Sequence, residues 1–262
     1  MLGKTLIIGV GSMGRALLTR ALEKGILKAS DTFVLVRRTE QLEVLSAELG
    51  ITGFTEMPDL DAFQTIILAV KPQVLPSIVS QMRAITEGTT VISVAAGITL
   101  DTLQRALPKA IVYRAMPNTP ASIGCGMTAL TTAATVDTTS VEAFFEAVGE
   151  VVVVSESDLD RLGALSGTGP GYMFVILDAL ADAGVRIGLP RSLAIKAAAQ
   201  TMYGAGKMAL SSGEHPAVLR DQVTSPGGTT IAGIGAMEKG GLRSALQDGV
   251  LAAFERSNEL GK

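Results

Sequence analysis

One histidine, one cysteine and no tryptophan are all that this 262-residue chain offers of the residue types that most often carry metal, thiol or indole chemistry. Cys125 alone cannot close an internal disulfide or build a thiolate metal site, and His215 alone cannot form a histidine cluster, so no metal centre is expected and a reducing compartment fits. Charge is sparse as well. Asp, Glu, Lys and Arg make up 18% of the residues, and 22 Lys+Arg stand against 25 Asp+Glu for a net charge of -3. With a pI of about 5.3 there is no basic footprint for nucleic acid or an anionic membrane, which leaves small molecules and protein partners. No uninterrupted apolar run reaches the ~18 residues that a membrane helix requires. The first residues pass from one lysine through a short apolar run straight into glycines, without the length or cleavage site of a signal peptide, so a cytoplasmic protein is expected.

What is present is apolar surface to bury: 47% of residues are hydrophobic and the mean hydropathy is +0.40. A length of 262 residues suits two domains of roughly 100 to 200 residues each. From Lys4 to about Val154 short β-branched runs alternate with amphipathic stretches, the signature of βαβ units around a mostly parallel sheet. The candidate strands are 5–8, 32–36, 65–70, 89–94, 110–115 and 151–154, and Ser12-Lys24 and Gln41-Leu49 carry the helical spacing of crossover helices. After Val154 the period changes and no run reads as a strand. Ser155-Glu156-Ser157-Asp158 is a helix start, Gly184 and Gly188 read as stops, and Pro190 sits where a first turn tolerates proline. The expected fold is therefore α/β, a Rossmann-type domain over residues 1–154 followed by an all-helical domain over 155–262. The helical half is rich in Ala and Gly, as in Ala197-Ala198-Ala199 and Gly204-Ala205-Gly206. That composition suits either a surface buried against a second subunit or tight packing within one chain.

Gly9-Val10-Gly11-Ser12-Met13-Gly14 follows the first strand and opens a helix, which is the setting that gives G-x-G-x-x-G its meaning. Gly9 permits the turn, Gly11 lets backbone approach a pyrophosphate, and Gly14 lets the helix lie close to the strand. The N-terminal N–H groups and positive dipole end of the helix then face that pyrophosphate. After the second strand, Arg37-Arg38-Thr39 stands where an NAD site would carry an acidic residue. Two guanidiniums suit a 2'-phosphate, so NADP(H) is preferred and NAD(H) remains possible, with Glu40 close enough to serve it. Ala69-Val70-Lys71-Pro72 and Val94-Ala95-Ala96-Gly97 end later strands and should line the cofactor crevice beyond the carboxyl edge of the sheet. Lys71 either approaches cofactor or substrate or caps its turn.

Three further strings are unusual: Arg114-Ala115-Met116-Pro117-Asn118-Thr119-Pro120, Ser166-Gly167-Thr168-Gly169-Pro170-Gly171-Tyr172 and Ser225-Pro226-Gly227-Gly228-Thr229-Thr230. The last places two glycines before a helix, exposing N–H groups at a positive dipole end that would seat a carboxylate; it also reads as an ordinary turn with an N-cap threonine. In this order, after the G-x-G-x-M-G and A-V-K-P turns, the strings resemble the pyrroline-5-carboxylate reductases. The resemblance runs through Glu238, Gly241, Arg243 and the closing Glu259-Leu260. It implies reduction of a cyclic imino acid, Δ1-pyrroline-5-carboxylate, to L-proline by NAD(P)H, and a helical domain that interlocks with a second subunit in an oligomer built from dimers. It further implies that Thr230 lies beside the imine nitrogen, that Ser225, Gly227, Gly228 and Thr229 hold the substrate carboxylate, and that Asn118 lies near the nicotinamide and its ribose. Where some members carry an Asn, this chain has Asp221-Gln222, which leaves the role of Gln222 open.

An imine can arrive already protonated, so the reaction needs no strong general acid and a chain with one histidine can perform it. Two other readings compete. A β-hydroxyacid dehydrogenase shares G-x-G-x-M-G but would place a catalytic Lys after the glycine-rich turn, where this chain has Met173-Phe174-Val175-Ile176-Leu177-Asp178. A non-catalytic NADP(H) sensor would bind cofactor without turnover. His215 is expected on the surface, Cys125 in the core or a strand, and Tyr172 either at the active site or in the core.

Overall fold

The computed structural model describes residues 2–82 and 85–260. In chain order the first unit runs β1 Thr5–Ile8, α1 Ser12–Glu23, β2 Thr32–Leu35, α2 Thr39–Leu49, β3 Thr52–Phe54, β4 Thr65–Leu68 and α3 Leu75–Gln81. It continues through β5 Thr90–Ser93, α4 Leu100–Ala106, β6 Ile111–Pro117, β7 Gly126–Thr132, α5 Thr139–Glu146, β8 Gly149–Val153 and α6 Glu156–Leu162. The eight strands form one sheet in the order β3-β2-β1-β4-β5-β6-β7-β8. It is parallel from β3 to β6; β7 then runs antiparallel to β6, and β8 parallel to β7. A mostly parallel Rossmann-type sheet is what the sequence predicts. The strand order reverses between β1 and β4, both of which pair along their whole length.

The centre of the sheet forms because its strands are apolar on both faces. Successive side chains of a strand point to opposite sides, and accordingly Ile7 joins the core beneath α1 and α5, while Leu6 and Ile8 join the core beneath α3 and α4. Both faces are covered, which is why β1 and β4 read as unbroken apolar runs. Leu17, Leu18, Phe144 and Phe145 fill one side and Leu75, Leu100 and Leu103 the other. Each such fully buried side chain contributes about 1.5–3 kcal/mol.

Two strands escape the sequence reading. β3 is three residues with a glycine at its centre, and β7 is threonine-rich with glycine at its start. Cys125, expected in the core or a strand, is exposed in the turn before β7; Gly124 and the turn's own hydrogen bonds place it outside the sheet. Ser155 caps α6 as expected, its hydroxyl oxygen accepting the Asp158 N–H at 3.2 Å. The Ser155 hydroxyl and then Arg161 hold the Asp158 carboxyl below its ordinary pKa.

By contact the chain divides into one unit running to Thr168 and rejoined from Ala253, and a second, Gly169–Ala252. After a π-helical turn, Gly163–Gly167, the second part is all helix: α7 Gly169–Arg186, α8 Arg191–Ser212, α9 Pro216–Gln222, α10 Thr229–Lys239 and α11 Leu242–Leu260. Gly184, read as a stop, instead lies within α7, and Gly188 with φ +102° follows its end. The physical reason is packing: a Cβ on Gly184 would stand 2.9 Å from the Cβ of Ala194 on α8. Ala181, Ala194 and Ala198 are the buried residues of this helix pair. Large apolar residues on the other faces of the same two helices and between them are bare, with Phe174 63%, Val175 71%, Ile187 81% and Leu210 81% exposed. The apolar run opened by Tyr172 is therefore not a core segment of this chain. Among the described residues no helix is long and apolar enough to cross a membrane.

Candidate cofactor and substrate sites

The carboxyl edge of the sheet at the strand-order reversal opens into a cavity of about 720 Å³. Of the residues expected at the cofactor, Gly9, Gly11, Arg37, Arg38, Ala69, Val70 and Lys71 all contribute to its wall. The three glycines of the first turn do different work. Gly9 has φ +92°, and a Cβ there would meet Val70 Cγ1 at 2.7 Å. A Cβ on Gly14 would run into the Gly9 carbonyl oxygen, so this glycine sets how closely α1 approaches β1. A Cβ on Gly11 meets nothing within 4 Å. The absent side chain of Gly11 thus answers to no protein neighbour and keeps open the space in front of the α1 N-terminus. Gly11 is also the N-cap of α1 and supplies no side-chain cap, which leaves the first N–H groups of the helix for a ligand.

Arg37 and Arg38 are exposed and make no ion pair among the described residues, so both guanidiniums are available to an anion. Lys71 is exposed on the cavity wall, and its carbonyl accepts the N–H groups of Val74 at 2.9 Å and Leu75 at 3.2 Å, which caps the turn before α3. Sequence reasoning missed Gln41, Glu56 and Gln81, which also line the cavity. Gln41 braces the glycine turn by donating from Nε2 to the Val10 carbonyl at 2.8 Å across 31 residues of sequence, a separation that no local pattern reveals.

The other expected cofactor residues stand outside that cavity's wall. Ser12 is exposed at the start of α1, Met13 packs against the core, and Pro72 follows Lys71 in its turn. Ala95, Ala96 and Gly97 follow β5, with Gly97 at φ +74°. Asn118 follows β6 and is buried; its Nδ2 donates to the Ser166 carbonyl at 2.9 Å and its Oδ1 accepts the Met127 N–H at 2.9 Å. Met116 lies against Gly163 and Gly167, close enough that a Cβ on either would contact it. Two of the unusual strings, Arg114–Pro120 and Ser166–Thr168, are therefore neighbours in space.

In the second unit, Ser225–Gly228 forms a tight turn closed by the Gly228 N–H donating to the Ser225 carbonyl at 3.0 Å, with Gly227 at φ +68°. A Cβ on Gly228 would strike the Ser225 hydroxyl. The helix that follows is not threonine-capped, contrary to expectation. Gly228 is the N-cap of α10 and Thr229 and Thr230 are its first two residues, because the chain enters the helix directly from the glycine turn. No side chain caps α10, so its first N–H groups and the exposed hydroxyls of Thr229 and Thr230 are left to solvent or ligand. Gln222 donates from Nε2 to Glu214 at 2.9 Å. His215 is exposed, as expected, and its Nδ1 accepts the Ala217 N–H at 3.2 Å to start α9. Tyr172 donates to the Gly249 carbonyl of α11 at 3.4 Å.

Comparison with known proteins bears on both halves. A family model described as pyrroline-5-carboxylate reductase dimerisation matches residues 156–260, and one described as NADP oxidoreductase, coenzyme F420-dependent, matches residues 4–97. The chain is 39% identical over 268 residues to the pyrroline-5-carboxylate reductase of Synechocystis sp., covering 98% of this chain and 97% of that protein. The solved structure of a pyrroline-5-carboxylate reductase from Coxiella burnetii superposes with a TM-score of 0.90 at 32% identity, covering 100% of both chains. That of Plasmodium falciparum pyrroline carboxylate reductase with NADP bound gives a TM-score of 0.86 at 27% identity, covering 99% of this chain and 98% of that one.

Proposed function

The chain belongs to the pyrroline-5-carboxylate reductase family, and from that premise we propose that it reduces Δ1-pyrroline-5-carboxylate to L-proline with NADPH, NADH serving as a weaker alternative. The observation that carries the cofactor half of this reading is the division of labour among the glycines. Gly9 and Gly14 are small because protein atoms crowd them, whereas Gly11 is small with nothing in front of it. A pyrophosphate fits that space, and the unpaired Arg37 and Arg38 fit a 2'-phosphate. When bound, the reduced nicotinamide supplies the hydride. Ser12, Met13 and Gly14 shape the helix end beneath the pyrophosphate, and Ala69–Pro72, Ala95–Gly97 and Asn118 bound the cofactor towards its nicotinamide.

For the substrate, Ser225, Gly227, Gly228 and Thr229 hold the carboxylate at the uncapped start of α10. The Thr230 hydroxyl stands beside the imine nitrogen and donates to the lone pair which that nitrogen gains as it becomes an amine, so the contact strengthens along the reaction. A threonine hydroxyl is too weak an acid to protonate the imine outright, so the substrate enters as its iminium. The dehydrogenase alternative finds no lysine along α7. We assign residues 1–154 to cofactor binding and 155–262 to dimerisation and substrate binding, in a cytoplasmic homo-oligomer built from dimers. A net charge of -3 argues against a nucleic-acid partner.

The test is a spectrophotometric assay of the purified protein with pyrroline-5-carboxylate and each reduced cofactor, with proline measured as product. Equimolar NADPH loss and proline formation, with a higher kcat/KM for NADPH than for NADH, is the expected result. NADPH binding without turnover would make the protein a sensor and overturn the assignment.

A further inference from the structure

Arg114 lies in the middle of the sheet on β6, 2% exposed, beside Ser93 at the end of β5. Its guanidinium is forked between two carboxylates of α6: Nη1 donates to Glu156 Oε1 at 2.5 Å and Nη2 to Asp160 Oδ1 at 2.9 Å. Glu156 Oε1 also accepts the N–H of Leu100, the first residue of α4, at 2.7 Å. Two carboxylates against one guanidinium leave a negative charge over; Glu156 and Asp160 are 33% and 37% exposed, so solvent shares it with the opening N–H of α4. The cluster joins three stretches that are distant in sequence: β6, the start of α6 and the end of the turn after β5.

Those stretches surround one part of the proposed site. A dinucleotide straddles the point where strand order reverses, here between β1 and β4. With Arg37 and Arg38 after β2 holding the adenosine half, the nicotinamide half would lie over the carboxyl ends of β4, β5 and β6. The turn Val94–Thr99 closes at Leu100, and Asn118 follows Arg114 by four residues on the same strand end. Neither carboxylate nor guanidinium lines the cavity. A fork of charge-assisted hydrogen bonds fixes distance and angle in a way that apolar packing of equal volume does not, and such packing would often stabilise as well or better.

We propose that the Arg114–Glu156–Asp160 cluster is a positioning device for the nicotinamide end of the cofactor site, setting the Ala95–Gly97 turn through the Leu100 N–H and the Asn118 end of β6 through Arg114. The proposal rests on the reductase reading given above. Glu156 is its hinge, because one carboxylate oxygen serves both β6 and α4.

Glu156→Ala removes the acceptor for Leu100, whereas Glu156→Gln keeps an oxygen in its place. In the cofactor-free protein, Glu156→Ala should speed hydrogen exchange at the Leu100 amide, and Glu156→Gln should leave it protected. With NADPH, Glu156→Ala should alter the fluorescence of the bound nicotinamide while its dissociation constant changes by less than about threefold. Its kcat should fall about tenfold or more, with a larger kinetic isotope effect from deuterated NADPH, since the hydride donor is misplaced rather than lost. Glu156→Gln should restore most of each. Arg161→Ala, which removes an exposed ion pair on the same helix, should change none of them. Unchanged exchange and turnover in Glu156→Ala would overturn the proposal. So would a loss shared equally by Glu156→Gln, or a fall in active enzyme with an unaltered isotope effect, each of which reduces the cluster to a fold staple. Wild-type protein that fails to reduce pyrroline-5-carboxylate would instead defeat the functional reading, with the exchange result at Leu100 still deciding the geometry of the cluster.

Discussion

Every side chain of β1 and β4 is buried, while α10, with Ile231 and Met237 on it, buries none. The Rossmann-type unit covers both faces of its sheet with its own helices and completes two apolar cores. The helical unit buries a short stripe of alanines between α7 and α8 and leaves Phe174, Val175, Ile187 and Leu210 bare. Each bare side chain forgoes about 1.5–3 kcal/mol, and apolar surface on that scale marks an interaction face. The match of a dimerisation family to residues 156–260 names the kind of face. One half of the chain encloses its own apolar cores, and the other leaves large apolar side chains bare within a stretch that matches a dimerisation family.

The comparison breaks most completely at Phe174. If the bare face around Phe174 is the one that pairs, Phe174→Glu should put an unpaired charge there, give a monomer on sedimentation and abolish turnover, yet leave NADPH affinity within about threefold of wild type. Loss of NADPH binding together with the dimer would show that the first unit is not self-sufficient.

Gly11→Val asks the opposite question. The side chain has room in the protein and none beside a pyrophosphate, so NADPH affinity should fall by about a hundredfold or more while the melting temperature and the dimer are kept. Calorimetric titration with NADPH checks it.

Thr230→Ala, in the second unit, should lower kcat by roughly ten- to a hundredfold, or 1.5–3 kcal/mol, with little change in NADPH binding. Thr230→Ser should recover much of the loss. Because Thr230 is the second residue of α10 and not its cap, wild-type turnover in Thr230→Ala would remove it from the reacting centre altogether.

The smallest effect is expected at the cavity edge. Arg37→Ala with Arg38→Ala should raise the KM for NADPH about tenfold and leave that for NADH nearly unchanged, since only NADPH has a phosphate to lose. Equal changes for both cofactors would make the pair a solvated surface feature.

These effects differ in how far the sequence foretells them. The central parallel strands β1, β2, β4 and β5 were legible because a strand buried on both faces is a continuous apolar run, and Thr5–Ile8 stands in the fold as it reads in the sequence. The glycine turn was legible because its geometry is local. β3 was not, being three residues around Gly53, and β7 was not, since threonines and a leading glycine hide its alternation. Gly184 misleads for a related reason: a glycine in a sequence signals a break, but here the missing Cβ admits Ala194 of the next helix. Gln41 and the Arg114 cluster depend on partners 31, 42 and 46 residues away, beyond the reach of any periodicity. Of the candidate site, the cofactor turn followed from spacing, whereas the roles of Ser225–Thr230 came from family resemblance, and only the structure reveals that no side chain caps their helix.

The contrast between a finished and an unfinished half is tested most directly by sedimenting the enzyme while it works, layered onto pyrroline-5-carboxylate and NADPH, and following the zone where NADPH absorbance disappears. The working zone should move at the rate of a dimer or a larger assembly. A fully active zone moving as a 27.0 kDa monomer would contradict it.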